Sequence, residues 1–565
     1  MISTLDELLA ELGTGWWDVI HYVVAIFCLS LPASQALGGA FYAPAVDYTC
    51  VPTAPSAASE TGAEGGGGGG GGPSSWRLKD PAPENSTALN RCSYLMENVQ
   101  TGEVIEESCS EWLFDNSTFA TTVTSEFQLT CDRAYLRATY QSIYMLGMFI
   151  GALISGFAAD RFGRKATLVV GLLSFMILSN VSCLLPNLSV LLFSRFLLGF
   201  TMPFISNISY ILVVEISEPR LRPHLGILMM LPWAFGMMIL GGIAYLIREW
   251  RWLQFTVSIP GVLVLPFLWM MDESPRWLAV TGRHERALEV LKKAARLNRT
   301  SLPGNEKVLA ILRESKEEES VNPRQEKKGI KVMIQEQLAS LSILLRTPKL
   351  RRTTLALYCS YVIVNMSYYG LSLSGGNLSN DPFVFMVLSG LMEVPAYSLT
   401  VPLVAHFGRR MPTLVSFALS GVALLAIAPT PPSHGWLVMT LAMVGKVCIA
   451  SAYQILIFYS TELFPTEVRS RGVGTCFMIS RLGSIVSPFI NEILGSVYPW
   501  APSAVFGATA FVAGLVMLML PETMGVALPE TVAELEARDM PSKKRSWLRI
   551  PTSEEKGGDK QQEVL

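Results

Sequence analysis

Charge is what this chain has least of. Asp, Glu, Lys and Arg make up 16% of its 565 residues and apolar residues 50%, where a soluble domain usually carries about 25% charge. Together with a mean hydropathy of +0.38, that scarcity excludes one large water-soluble core, because cores stop growing beyond roughly 250–300 residues. The surplus apolar surface has to face lipid. A net charge of −2 gives no overall pull toward nucleic acid, so none is expected as a partner. Histidine is rare, at five residues, and the nine cysteines show no Cys-x-x-Cys spacing. His-Glu-x-x-His is missing too, so no metal centre and no cofactor is expected. The N-terminal stretch contains no Lys or Arg and lacks the basic flank of a cleavable signal peptide, which leaves targeting to the first membrane helix. The apolar segments pair no nucleophile with a base, which argues against an enzyme.

What is present is a series of apolar runs of about twenty residues, each long enough to cross a hydrocarbon core of about 30 Å. They fall near 19–42, 136–158, 166–186, 188–216, 225–247 and 250–271. Six more lie near 353–375, 382–403, 411–429, 435–463, 472–497 and 502–520. The prediction is an all-α polytopic membrane protein of twelve transmembrane helices. Short gaps read as antiparallel hairpins. Two gaps are long, at 43–135 and 272–352. Arg161, Arg164 and Lys165 in the gap after the second helix, and Lys292, Lys293, Lys327 and Lys328 in the mid-chain gap, place both in the cytosol. The first long gap is acidic, with Glu103, Glu106, Glu107 and Glu111, and falls outside. The expected division is a cytosolic N-terminus (1–18), a six-helix bundle with its external loop (19–271), a cytosolic insert (272–352), a second bundle (353–520) and a cytosolic tail (521–565). Within the insert, Ala287, Leu288, Val290, Leu291 and Ala294 predict amphipathic helices lying under the bundles.

The external loop holds Cys50, Cys92, Cys109 and Cys131, an even set where disulfides persist. Three pairings are open to them. Asn85 and Asn116 head Asn-Ser-Thr sequons in the same loop and are the expected glycosylation sites. The sequons at Asn180, Asn207 and Asn298 lie in helices or in the cytosol and are chance matches. A glycine tract, Gly65 to Gly72, reads as a flexible tether.

Three patterns occur once in each half. Asp160-Arg161-Phe162-Gly163-Arg164-Lys165 is echoed by Ala405-His406-Phe407-Gly408-Arg409-Arg410, Glu215 and Arg222 by Glu462 and Arg469, and Glu273-Ser274 by Glu522-Thr523. Three echoes in the same order imply a duplicated six-helix unit, and two such bundles enclose a cavity near the midplane for alternating access. At the cytosolic face Gly163 permits a tight turn. Asp160, Arg161 and Arg164 can bond each other and exposed helix-end carbonyls, latching the halves when that side is closed, with Glu215 and Arg222 completing the cluster. Glu462 and Arg469 are the expected counterparts. Ala405 and His406 replace the acid and first base there, so the second latch should be weaker.

The run Gly156 to Lys165 meets G-x-x-x-D-R-x-G-R-K/R, the cytosolic motif of the major facilitator superfamily, which this chain resembles. Asp272-Glu273-Ser274-Pro275-Arg276-Trp277-Leu278 and Glu462-Leu463-Phe464-Pro465-Thr466-Glu467-Val468-Arg469 resemble its solute carrier family of organic cation, anion and zwitterion transporters. The likeness runs from about residue 17 to 536 and implies a plasma-membrane carrier of small organic ions. The external loop has four cysteines where that family more usually has six.

Intramembrane charges bear on the substrate, because a charge at such depth requires a partner or a polar cavity. Arg481 lies near the midplane, with Lys446 and Glu393 at similar depth. Cation-specialised members of the family typically have Asp at the place of Arg481 and often Glu at that of Gln454. Glu393-Val394-Pro395-Ala396-Tyr397, Met443-Val444-Gly445-Lys446 and Ser480-Arg481-Leu482-Gly483-Ser484 look more like the carnitine and ergothioneine branch. That likeness implies a zwitterion, its carboxylate on Arg481 and its ammonium against Tyr361, Tyr368, Tyr369 or Trp233. Lys446 and Glu393 suit a structural partnership equally well, and Arg195 suits either ion coupling or structure. An organic cation transporter and a non-transporting receptor are the alternatives. The coupling ion, sodium or proton, and the oligomeric state stay open.

Overall fold

The computed structural model describes residues 4–51, 76–78, 92–98, 101–320, 342–379, 381–526 and 528–537. Among them, nine helical segments are long and apolar enough to cross a membrane, and Arg410–Leu425 and Ala501–Met517 are shorter apolar helices. Pro348–Leu373 completes twelve spans. Its lower hydropathy has a local cause: Ser360, Asn365, Ser367 and Ser372 are all buried against protein rather than lipid, where a polar residue is tolerated.

The first bundle consists of Trp16–Leu37, Tyr135–Phe162, Arg164–Ser182, Leu188–Ile216, Leu231–Leu246 and a sixth span broken at Pro260 into Trp250–Ser258 and Pro260–Met270. The second consists of Pro348–Leu373, Pro382–Phe407, Arg410–Leu425, Gly435–Leu463, Arg469–Phe489 and Ala501–Met517. Glycine lets paired spans touch backbone to backbone, a common device where the hydrophobic effect cannot drive helices together. A Cβ on Gly483 would meet the Val362 carbonyl and the Met366 amide, so the eleventh span lies hard against the seventh.

On the face that the basic residues assign to the cytosol, Pro275–Val280, His284–Asn298 and Asn305–Ser320 form the amphipathic insert helices. Leu288 and Leu291 pack with Trp277, Val308 and Leu312, and Leu5, Leu8 and Leu9 of an N-terminal helix, Thr4–Leu12, join the same core. Asn298, dismissed as a chance sequon, clamps the start of the first span. It accepts from the Trp17 amide at 3.0 Å and donates to Asp18 at 2.9 Å.

In the external loop Tyr48–Val51 pairs antiparallel with Glu111–Phe114, and Ser93–Asn98 pairs with Val104–Ser108. Of the three possible pairings the structure adopts Cys50–Cys109 and Cys92–Cys131. The Cys109 amide bonds the Cys92 carbonyl at 3.0 Å, so the two bridges start from neighbouring residues at one sheet end. Asn116 is exposed; Asn85 and the glycine tract lie outside the described residues. Non-reducing peptide mapping of surface protein is expected to find these two linked pairs and a glycan on Asn116. Four free thiols would contradict the pairing.

At the ends that carry this loop, the two halves are closed against each other. Arg137 of the second span forms an ion pair with Glu492 across the halves. The Ser142 hydroxyl donates to the Ile485 carbonyl at 2.7 Å. Phe383 of the second half is wedged among Phe41, Phe119 and Tyr245 of the first, with the Arg248 guanidinium 5.7 Å from its ring. Glu492 is presented by a π-helical turn, Ile490–Leu494, just after Pro488, a distortion common at functional places in helices.

Candidate functional site: a cavity between the halves

One cavity of about 1490 Å³ lies between the bundles. Its inner walls include Trp233, Met202, Ser206 and Asn207 from the first half and Asn365, Tyr368, Tyr369, Tyr397, Tyr453, Gln454 and Arg481 from the second. Asp160, Arg161, Thr281, Ser470 and Arg471 ring it toward the cytosolic face. With the opposite ends closed, that mouth is the way in, which on the assignment of the basic residues to the cytosol is an inward-facing arrangement.

Arg481 is in the wall, as its depth in the sequence suggests. Tyr369 hydrogen-bonds it and Tyr453 lies close by, and among the described residues no carboxylate pairs with it. The near contact at Gly483 sets this arrangement, because it brings the eleventh span onto the face of the seventh that carries Tyr369. Trp233 and Tyr368 are also in the wall, and they meet: the indole N–H donates to the phenol at 2.7 Å across the two halves. Gln454 lines the cavity beside Tyr397.

Three expected substrate-binding residues are elsewhere. Tyr361 is fully buried behind the wall, where its hydroxyl donates to the Leu456 carbonyl at 3.1 Å, and its ring props Phe477. Glu393 and Lys446 are 0% and 1% exposed and pair with each other at 3.4 Å. Two cavity tyrosines cover the carboxylate: Tyr397 donates to Oε2 at 2.8 Å and Tyr368 donates to Oε1. Burial of a lone charge is costly and burial of a bonded pair much less so, which is why the two sit together behind the wall rather than in it. Arg195 also lies outside the cavity wall. It is fully buried in the first half, bonded to Gln35 at 3.1 and 3.2 Å, with Tyr140 and Tyr144 rings 4.6 and 4.8 Å away.

Sequence reading missed Asn207, Asn365, Tyr397 and Tyr453 as wall residues. A polar side chain in mid-span is the available signal at these positions.

The cytosolic clusters form within each half rather than between halves. Arg164 pairs with Glu215 and Asp160, both at 2.9 Å. Glu273 accepts the Arg164 and Lys165 amides at 2.8 and 3.0 Å; burial pushes its carboxyl pKa up, against the pull of these N–H donors. Gly163 makes the turn with φ of +103°, and Glu273 fills the space where a Cβ would stand. Arg222 is not part of the cluster: it pairs with Asp6 of the N-terminal helix at 2.6 Å. In the second half Arg409 pairs with Glu462 at 2.8 Å and Glu522 accepts the Arg409 amide at 2.9 Å. Arg469 turns instead to the Thr466 hydroxyl at 3.0 Å. These departures share a reason, since Arg222 and Arg469 each begin the next helix and bond what lies at that turn.

Asp160 and Arg161 remain at the cavity mouth, and the Asp160 side chain is 62% exposed despite its bond to Arg164. An exposed pair contributes little here and is available to bond across the halves when they close. Asp160→Asn is therefore expected to reach the surface normally yet slow uptake per surface molecule by roughly tenfold. Unchanged uptake would contradict a latch at this position.

Residues 111–534 match the sugar (and other) transporter family. The chain is 31% identical over 545 residues to the organic cation transporter protein of Drosophila melanogaster, covering 94% of each. It is 30% identical over 550 residues to solute carrier family 22 member 6 of Mus musculus, covering 96% of each. The chain belongs to the sugar (and other) transporter family, and within it to solute carrier family 22. In structure it resembles the xylose transporter XylE from E. coli in an inward-open conformation, with a TM-score of 0.57 at 18% identity over 75% of this chain and 92% of that one. The fold is thus that of a major facilitator transporter, two six-helix bundles about a central cavity. This solute carrier is a polytopic transmembrane transporter of small organic ions and not an enzyme.

Proposed function

We propose that the protein carries carboxylate-bearing organic ions, carnitine-like zwitterions or organic anions, across the plasma membrane by alternating access. The observation that supports this most is the unequal fate of two charges at similar depth. Arg481 stands in the wall without a carboxylate partner among the described residues, while Glu393 is withdrawn behind Tyr368 and Tyr397 and neutralised by Lys446. A substrate carboxylate supplies what Arg481 lacks, in the two-pronged geometry that a guanidinium offers. Tyr368, Tyr369, Tyr397, Tyr453 and Trp233 present aromatic faces for a quaternary ammonium or an apolar body. Arg161 and Arg471 at the mouth add to a field that draws anions in.

The test is uptake of L-carnitine, glutarate and tetraethylammonium by cells displaying the protein, with and without sodium. Accumulation of L-carnitine or glutarate well above that of tetraethylammonium is the expected result. Accumulation of tetraethylammonium alone would favour a cation carrier. Binding without accumulation of any of the three would favour a receptor.

A further inference from the structure

The buried pair of Glu393 and Lys446 is the least explained feature of the membrane region. It lies in the second half, at about the depth of Arg481, yet touches no part of the cavity surface. Its surroundings are specific. The Glu393 carboxylate takes the Tyr368 and Tyr397 hydroxyls, one on each oxygen, and both of those tyrosines line the cavity. One phenol is therefore all that separates either oxygen from the space the substrate occupies. On the other side, the Lys446 ammonium stands 3.4 Å from Oε1, donates to the Ser372 hydroxyl, and lies 3.7 Å from the centre of the Tyr368 ring.

We propose that Lys446 sets the charge selectivity of the cavity by masking Glu393, an inference that rests on the carboxylate reading above. With the ammonium in place the pair carries no net charge, and the field at the centre of the cavity is that of Arg481. Without it, the carboxylate keeps its two phenol donors and its negative charge is left without a partner just behind an aromatic wall. In surroundings of low dielectric that charge offsets Arg481 and attracts a cation. The tyrosine faces already there are the surface a quaternary ammonium prefers. The same scaffold thus holds both selectivities, and the residue opposite Glu393 chooses between them. Removal of Glu393 acts in the reverse direction, since the freed ammonium then reinforces Arg481. Trp233 belongs to this arrangement as well. Its bond to Tyr368 holds the phenol between the carboxylate and the cavity while the halves are in the inward-facing position.

The experiment measures the ratio of tetraethylammonium uptake to L-carnitine or glutarate uptake, per surface molecule, in the parent and four variants. Lys446→Met is expected to raise that ratio about tenfold or more, the effect of roughly one close charge in a partly desolvated wall. Glu393→Gln is expected to lower it and to reduce the half-saturation constant for the carboxylate. Lys446→Arg keeps the mask and the parental ratio, and the double variant Glu393→Gln/Lys446→Met returns toward it because no charge is left exposed. A pair that only supports packing lowers all uptake without changing the ratio. Equal ratios in the parent, Lys446→Met and Glu393→Gln, or shifts of the same sign in those two variants, overturn the proposal. Should Lys446→Met fail to reach the surface, Glu393→Gln decides alone: a lowered ratio supports masking and an unchanged one overturns it. Failure of the carboxylate reading is separate, since it shows in the parent, as preference for tetraethylammonium before any substitution is made.

Discussion

Arg481→Ala is expected to weaken uptake of a carboxylate substrate by roughly ten- to a hundredfold in half-saturation, the loss of a charge-assisted bond worth about 1.5–3 kcal/mol. The geometry supports so large a figure because nothing else among the described residues is placed to take over the role. The other fully buried basic side chains among them are already committed, Lys446 to Glu393 and Ser372 behind the wall and Arg195 to Gln35. Arg481→Lys retains the charge, loses the planar fork, and should recover only part of the loss. Arg481→Asp should abolish carboxylate uptake. Tyr369, hydrogen-bonded to Arg481, makes a packing role for the guanidinium testable too. If Arg481 only supports Tyr369, Arg481→Ala will lower surface expression and maximum rate while half-saturation stays at the parental value.

The second large effect is expected at the opposite end of the transport path. Arg137 and Glu492 are 9% and 16% exposed in their side chains and join the two halves where the external side is closed. Removing one partner leaves the other half-buried and unpaired, which costs the closed state about 1.5–3 kcal/mol. Arg137→Ala should therefore shift the balance toward outward-facing forms by roughly ten- to a hundredfold. A cysteine placed in the cavity wall by Ser206→Cys reports the shift. Its reaction with a membrane-impermeant thiol reagent applied from outside should accelerate when Arg137→Ala is added. Of the native free cysteines, Cys28, Cys183, Cys448 and Cys476 are buried and Cys359 is half-buried, so Cys359→Ser is added to every protein compared to keep the background low. An unchanged labelling rate would mean that the Ser142 bond and the Phe383 cluster close that side without the ion pair.

Much of this architecture is legible in the sequence because it is written in local patterns. Span length is set by bilayer thickness, so apolar runs report it directly, and the repeated Gly163 and Gly408 turns report the duplication. Side-chain placement is another matter. The rotation of each span about its own axis decides whether a polar residue meets the cavity, another helix or a buried partner, and tertiary packing sets that rotation. Position along the span matters as well: Tyr361 and Tyr368 lie two turns apart on one face of a helix, yet Tyr368 lines the cavity and Tyr361 bonds the Leu456 carbonyl behind it. Glu393 and Lys446 were legible as a pair with two readings, and only the positions of Tyr368 and Tyr397 decide which side of the wall they occupy. Arg222 could not have been traced to Asp6, because the contact joins two cytosolic segments more than two hundred positions apart. The cysteine pairing was likewise out of reach, since it depends on the strand register that sets the Cys109 amide against the Cys92 carbonyl.

Whether Arg481 reads a substrate carboxylate is decided by a cycle that alters both partners. For the carboxylate taken up best, half-saturation is measured for the acid and its methyl ester, in the parent and in Arg481→Ala, at matched surface density. If the two groups bond each other, esterification costs the parent roughly ten- to a hundredfold and costs Arg481→Ala almost nothing, since the bond is already gone. An equal penalty for the ester in both proteins would show that the carboxylate is recognised elsewhere.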